Sequence, residues 1–136
     1  MISIKKTLSS FDEWSDTHVL RPSAQSPEDF LPLHPFELRI LLVLAQGPTH
    51  GYSIIRVIEE RDGSWKRVLP ANLYRRLRDM HARGLVEEVD APAGTPEDER
   101  QRRTYALTEL GRRIAVAEAR RLDALAADAR RVLREV

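Results

Sequence analysis

Residues 69–86 read LPANLYRRLRDMHARGLV, a stretch with the pattern of an amphipathic helix. Leu73, Leu77 and Met80 are spaced i, i+4 and i+7, which places them on one side of an α-helix as a stripe that faces the core. A proline at the start and Gly84 at the end are typical helix boundaries. The other sides of this predicted third helix carry four arginines, at positions 75, 76, 78 and 83.

The side opposite that stripe is suited to contact with DNA. At roughly 100° per residue, Asn72, Arg75 and Arg78 project away from the core. An amide can pair with a base edge, and a guanidinium can reach a guanine edge or a phosphate. Side chains that flank this surface or precede the helix would suit backbone phosphates. The alternative to DNA contact is that the arginines simply form a solvated surface. The predicted DNA-binding residues of this segment are Lys66, Arg67, Asn72, Tyr74, Arg75, Arg76 and Arg78.

Charge is segregated along the chain, although the formal net charge of the 136 residues is only +1. Residues 66–83 hold six basic side chains (positions 66, 67, 75, 76, 78 and 83) and one acid, Asp79. Residues 1–34 hold three bases (5, 6 and 21) and five acids (12, 13, 16, 28 and 29). Such a local excess is more informative than the sum, and it favours an anionic partner for the central segment.

The composition argues against several protein classes. The chain has no cysteine, which excludes a disulfide scaffold, a thiolate metal site and a cysteine nucleophile. The longest apolar run, residues 40–45, is too short to span a bilayer, and the acidic start lacks the apolar core of a signal peptide. The four histidines lack ligand spacing, and Glu87 and Glu88 would point to opposite faces of a strand. We therefore expect a cytoplasmic protein without enzyme activity, catalytic residues, metal, cofactor or membrane partner.

The segments on either side of the third helix complete a winged helix-turn-helix. Residues 34–47 and 51–61 carry helical apolar stripes. His50 and Tyr52, where the second of these segments begins, are interpreted as turn-forming and packing residues. Residues 85–91 and 102–108 predict two strands joined by a turn rich in proline, glycine and acids. Three helices followed by a hairpin define this fold, which we assign to residues 35–107. Residues 1–34 form an N-terminal extension that could hold a short helix near Phe11 and Trp14.

The predicted hairpin, or wing, adds two candidate DNA contacts. A basic hairpin beside a recognition helix can lie on phosphates or in the minor groove. Arg102 and Arg103 are the stronger candidates, because residues 97–99 near the tip are all acidic. A turn held together by salt bridges is the alternative.

The last segment, residues 108–136, predicts a long dimerisation helix that Thr108 caps. Its apolar side chains recur at spacings of three and four, which is a heptad seam. A helix of this length cannot bury that seam against so small a domain, so a second copy is the simplest partner, with a different protein as the alternative. The predicted dimer-interface residues are Leu122, Leu125, Ala129, Val132 and Val136.

Several motifs together resemble the PadR family of transcription regulators over about residues 33–136. They are HGY at 50–52, LY at 73–74, GLV at 84–86 and RRTYALTELGR at 102–112. The resemblance implies a dimeric winged-helix protein, usually a repressor, that releases DNA when a small molecule or another stress signal acts on it. The family often reads Gly-Thr-Leu-Tyr-Pro where this chain reads ANLYR at 71–75, which suggests a different base preference.

The sequence therefore predicts a mainly α protein with a small β-hairpin, a winged helix-turn-helix plus a C-terminal dimerisation helix. The expected function is sequence-specific transcription regulation by a homodimeric repressor on double-stranded, pseudo-palindromic DNA. The third helix of each protomer would enter a major groove, and the two grooves would lie about one helical turn (~34 Å) apart. The alternative is a winged-helix module that binds a protein partner without DNA. Trp14 and Trp65 could line an effector pocket, although packing is the commoner role of a lone tryptophan.

Overall fold

The computed structural model describes residues 26–61 and 67–134. In chain order, these residues form a 3-10 helix (Pro27–Phe30), α1 (Pro35–Leu44), β1 (Thr49–His50), α2 (Gly51–Arg61), α3 (Pro70–Ala82), β2 (Val86–Val89), α4 (Glu97–Arg100), β3 (Thr104–Leu107) and α5 (Glu109–Leu133). The mainly helical class with a small sheet and a long last helix is confirmed. The predictions for Phe11, Trp14, Trp65, Lys66 and Val136 lie outside the described residues.

The core forms where the apolar sides of α1, α2 and α3 meet. Leu73, Leu77 and Met80 are all 0% exposed, which confirms the stripe on α3. Ile40 of α1 and Ile54 of α2 are also 0% exposed. Burying such side chains supplies about 1.5–3 kcal/mol each, so α3 is held firmly with its polar side turned outward.

The ends of the helices follow from their flanking residues. The His34 ring accepts a hydrogen bond from the Phe36 N–H (3.0 Å), and a Glu37 carboxylate oxygen accepts one from the His34 N–H (3.1 Å). Together these bonds satisfy the free donors at the start of α1. After α3, Gly84 has φ +84°, a left-handed conformation that glycine adopts without strain. The Thr108 hydroxyl accepts from the Gly111 N–H (2.9 Å), so the predicted cap of α5 is confirmed.

The sheet has three antiparallel strands in the order β1-β3-β2, one more than the predicted hairpin. Val86 pairs with Leu107 across the hairpin, and Thr49 pairs with Tyr105 on the other side of β3. The prediction that His50 forms a turn is wrong, since His50 lies with Thr49 in β1. A strand of two residues is too short to show the alternation by which strands are predicted. The predicted turn between β2 and β3 also contains α4, whose first turn is acidic, as suits a helix N-terminus.

The helix α5 has a packed half and a bare half. Its first half packs on α1 and on the 3-10 helix and buries Ile114 and Ala115. From residue 119 to residue 134 every side chain is exposed.

In the described part of the chain, no helix is long and apolar enough to cross a membrane. The domain boundaries at residues 34 and 107 stay predictions.

Candidate nucleic-acid interface

The outward side of α3 presents a polar and basic surface, which we call the reading face and define as Asn72, Arg75 and Arg78. All three side chains are exposed. The Arg75 guanidinium donates a hydrogen bond to the Asn72 carbonyl oxygen at 3.1 Å, so these two side chains form one unit. Across residues 26–61 and 67–134, no carboxylate lies within salt-bridge distance of Arg75 or Arg78. Their charge is therefore available to an anionic partner.

The other two arginines of α3 turn back towards α1. Glu37 is only 6% exposed, and its Oε2 accepts from Arg83 Nη2 at 2.5 Å and lies 3.5 Å from Arg76 Nη1. Arg83 also pairs with Asp79 at 2.8 Å. We call Glu37, Arg76 and Arg83 the anchor. Charge-assisted bonds of this kind are short and directional, so the anchor fixes the orientation of α3 against α1.

Tyr74 lies at the junction of α2 and α3. The side chain is 38% exposed, and its ring covers the first residue of α2. A Cβ at Gly51 would lie only 2.5 Å from the Tyr74 hydroxyl oxygen, so any larger residue there would require the Tyr74 ring to shift. Tyr74 therefore packs directly against the start of α2.

Tyr52 is a surface residue that the sequence interpretation missed. It was expected to pack, but its side chain is 53% exposed, because Ile54, Ile55 and Ile58 take the inner side of α2. The Arg56 and Arg102 guanidinium carbons lie 5.9 Å and 5.4 Å from the centre of its ring, which is cation–π distance. The helical spacing of the isoleucines was a signal that could have placed Tyr52 outside.

The two arginines predicted for the wing have different surroundings. Arg102 stacks over Tyr52 and so joins the wing to the first turn of α2. Arg103 Nη1 lies 3.8 Å from Glu88 Oε1, with the two side chains 70% and 47% exposed. A pair that is this open contributes little to stability, and Arg103 can exchange Glu88 for another anion at small cost.

The exposed half of α5 carries the predicted dimer seam. Leu122, Leu125 and Val132 are 38%, 55% and 60% exposed, and Ala129 is exposed as well. Leu122 also lines a cavity of about 470 Å³ between α1 and α5, together with Leu38 and Leu42. The seam is therefore continuous with a second apolar surface.

A buried carboxylate marks the point where α5 leaves the domain. Glu118 is 2% exposed and accepts from the Leu33 N–H (3.2 Å) and from Arg121 Nε (2.7 Å) and Nη2 (2.9 Å). The hydrogen bonds from Arg121 hold the pKa of the Glu118 carboxyl below its usual value, and they outweigh the opposing effect of burial. The ionised carboxylate thus ties residue 33 to α5.

The described residues were also searched for groups of side chains that could hold a metal ion. Residues 26–61 and 67–134 bring no three His, Asp or Glu side chains together in a group that could hold a metal ion. The structure places Arg67 directly before α3, exposed and close to Arg75. The structure thus brings Arg67 and Arg75 close together, whereas Arg76 turns towards Glu37 and Arg102 contacts Tyr52.

Comparison with known proteins places the fold in a family. Residues 40–117 match the model of the Transcriptional regulator PadR-like family, which is more than half of the chain. A PadR family transcription regulator from Clostridium difficile has a TM-score of 0.60 at 18% identity, covering 74% of this chain and 99% of that one. A PadR-like transcriptional regulator from Bacillus cereus has a TM-score of 0.61 at 17% identity, covering 74% and 92%. These two structures show the fold.

Two further relatives are more similar in sequence. RosR of H. salinarum is 26% identical with a TM-score of 0.53, covering 76% of this chain and 99% of that one. An uncharacterized 37.1 kDa protein in a Streptomyces fradiae transposon is 34% identical over 83 residues. That alignment covers 61% of this chain and only 21% of the transposon protein.

Proposed function

The chain belongs to the PadR-like family of transcriptional regulators, and on that premise we propose that it binds double-stranded DNA through the reading face of α3. The observation that carries the proposal is the pairing pattern on this helix. Arg75 and Arg78 have no carboxylate partner in the described ranges, whereas Arg76 and Arg83 form ion pairs with Glu37 of the anchor. A helix that is held on its inner side by the anchor and is basic on its solvent side is suited to binding in a major groove.

The reading face supplies base recognition, and its neighbours supply phosphate contacts. Asn72 and Arg75 already share a hydrogen bond, so they approach the base edges as one preformed group. Tyr52 and Arg102 extend the surface from α3 to the wing. The phosphate-contacting set in this proposal contains Lys66, Arg67, Tyr74, Arg76, Arg102 and Arg103. Within it, Arg76 must release Glu37 to reach a phosphate, so we rank it last.

We further propose that the protein acts as a homodimer joined through the bare half of α5. An isolated helix end of this length gains little stability by itself, because helices in proteins are held mainly by packing of an apolar face. The substitution Leu125→Glu would place a charge in the seam, and sedimentation should then show monomers. Arg120→Glu, on the side of α5 opposite Leu122, is the matched control and should leave the dimer intact. A dimer that survives Leu125→Glu would contradict the seam.

In this proposal the dimer is a cytoplasmic repressor of transcription that a small molecule or another stress signal releases from DNA. Selection of bound sequences from a random duplex pool tests the DNA step directly. We expect a pseudo-palindrome with half-sites about one helical turn apart and an affinity that falls as salt rises.

The second candidate function is a winged-helix module that binds a protein partner. The carboxylates of the wing favour it, since Glu88 pairs with Arg103 and Glu99 lies 3.8 Å from His50. If the selection enriches no sequence and the protein binds no duplex at low salt, the DNA proposal fails and this alternative replaces it.

A further inference from the structure

Asn72 and Arg75 lie one turn apart on the outward side of α3 and are joined by a hydrogen bond. Arg75 Nη2 lies 3.1 Å from Asn72 Oδ1. A guanidinium carries hydrogen-bond donors and no acceptor, so the atom of the Asn72 amide that faces it must be the oxygen. The amide nitrogen, with its two hydrogens, is therefore the part of Asn72 that is left for a ligand.

This pairing leaves the reading face with free donors and no free acceptor. The Asn72 oxygen already accepts from a guanidinium, and the two arginines of the face have no acceptor of their own. Two neighbours on the described surface of α3 that could accept are turned elsewhere. Asp79 pairs with Arg83 at 2.8 Å, and the Tyr74 hydroxyl lies against Gly51. A base that binds the reading face must therefore supply the acceptors.

Guanine is the base whose major-groove edge fits such a surface. It presents two adjacent acceptors, N7 and O6, whereas adenine and cytosine each present an amino donor and thymine presents a single acceptor beside a methyl group. Asparagine commonly reads adenine, by donating to N7 and accepting from the N6 amino group. Here that amino group would have to approach an oxygen already held by Arg75, which would place two donors, one of them charged, against the same acceptor.

We infer that the pair of Asn72 and Arg75 reads guanine, and that Arg75 is the positioning residue that turns Asn72 away from adenine. This base preference rests on the proposed function, since it names the base that the reading face selects. The two side chains belong to the third and sixth residues of α3 (Pro70–Ala82). Residues near the start of a recognition helix are the ones that contact base edges.

Selection of duplexes from a random pool by the full-length protein and three variants tests the preference. Asn72→Ala identifies the base that Asn72 contacts, as the position of the half-site at which selection is lost. The unsubstituted protein should select guanine there. Arg75→Ala should change that position from guanine to adenine, because the amide oxygen is then free to accept from N6. Arg78→Ala is the matched control, since it removes an exposed arginine of the same face without freeing the amide, and guanine should be retained.

Fluorescence anisotropy on the selected duplex measures the size of the effect. Replacing this guanine by adenine should raise the dissociation constant of the unsubstituted protein about tenfold or more. With Arg75→Ala, the adenine duplex should instead bind more tightly than the guanine duplex. In the guanine duplex, 7-deazaguanine lacks the N7 acceptor and should weaken binding about fivefold, whereas inosine keeps N7 and O6 and should bind like guanine. All three substituted side chains are exposed, so thermal unfolding of the variants should be unchanged.

The results separate this base preference from the proposed function. Adenine selected by the unsubstituted protein, or a guanine preference that survives Arg75→Ala, would overturn the preference while DNA binding stands. The same holds if Asn72→Ala alters selection at no position, or if Arg75→Ala weakens the guanine and adenine duplexes equally, since Arg75 would then supply only charge. If no sequence is enriched and no duplex binds at low salt, the proposed function and the preference both fail.

Discussion

The reading face and the anchor place arginines of one helix in opposite surroundings. Arg75 and Arg78 project into solvent, whereas Arg76 and Arg83 meet a carboxylate that is only 6% exposed. That carboxylate, on Glu37, lies 39 and 46 positions away from its two partners. The basic residues of α3 therefore do not form one continuous surface, because an acid distant in sequence pairs with two of the four arginines.

The largest effect is expected from removal of the reading face. Arg75→Ala together with Arg78→Ala should weaken binding of a selected duplex about 100-fold or more, since each base contact contributes about 1–3 kcal/mol. Fluorescence anisotropy at low salt measures the affinity. Thermal unfolding should be unchanged, because both side chains are exposed. An affinity equal to that of the unsubstituted protein would show that DNA is bound elsewhere.

Removal of the anchor should instead act on stability. Glu37→Gln removes the buried carboxylate that Arg76 and Arg83 share, although Arg83 keeps its pair with Asp79. We expect the free energy of unfolding to fall by about 2 kcal/mol. This figure is below the cost for a fully buried pair, since the Arg76 and Arg83 side chains are 25% and 33% exposed. Urea unfolding measures it, with the exposed Glu60→Gln as control. If the two variants are equally stable, the anchor does not hold α3.

Tyr52 tests how far the reading surface extends beyond α3. Tyr52→Ala removes the ring over which Arg102 lies, so Arg102 loses the contact that orients it towards α2. We expect duplex affinity to fall about fivefold, consistent with a cation–π contribution of roughly 0.5–1 kcal/mol. Anisotropy with Arg120→Ala as the exposed control measures this effect. An unchanged affinity would restrict the surface to α3 and the wing.

Glu118 offers a smaller, pH-dependent contrast with the anchor. Its pKa in the folded protein is below the usual 4.5, so its stabilising contribution is fully present above that value and is lost as pH falls through the lowered pKa. The stability difference between the unsubstituted protein and Glu118→Gln should therefore be constant near neutral pH and shrink below about pH 4.5. Urea unfolding across this range, with the exposed Glu109→Gln as control, checks it. A stability difference that does not change with pH would contradict the prediction that protonation of Glu118 destabilises the protein.

Much of the fold could be predicted because its signals are local. The stripe of Leu73, Leu77 and Met80, the stop at Gly84 and the cap at Thr108 each depend on residues within a few positions of one another. These signals gave α3 and the start of α5 correctly. The end of α5, at residue 133 rather than 136, shows the usual uncertainty of helix termini.

The parts that escaped prediction depend on tertiary contacts. β1 has two residues and exists only because β3 offers an edge for pairing. Glu37 reads as an ordinary polar residue at the start of α1, and only packing brings it to Arg83. Tyr52 is an aromatic residue that the sequence interpretation assigned to packing, yet it lies on the outer side of α2 because three isoleucines fill the inner side.

The salt dependence of duplex binding by Arg78→Gln and Arg83→Gln tests the central claim most directly, because the two variants remove the same charge from the two surroundings. With Arg78→Gln, the slope of log affinity against log salt should become shallower by about two, one for each protomer of the proposed dimer, while unfolding is unchanged. With Arg83→Gln, the slope should be retained and the protein should unfold more easily. Equal changes in slope, or a slope change confined to Arg83→Gln, would contradict the division of α3 into a reading face and an anchor.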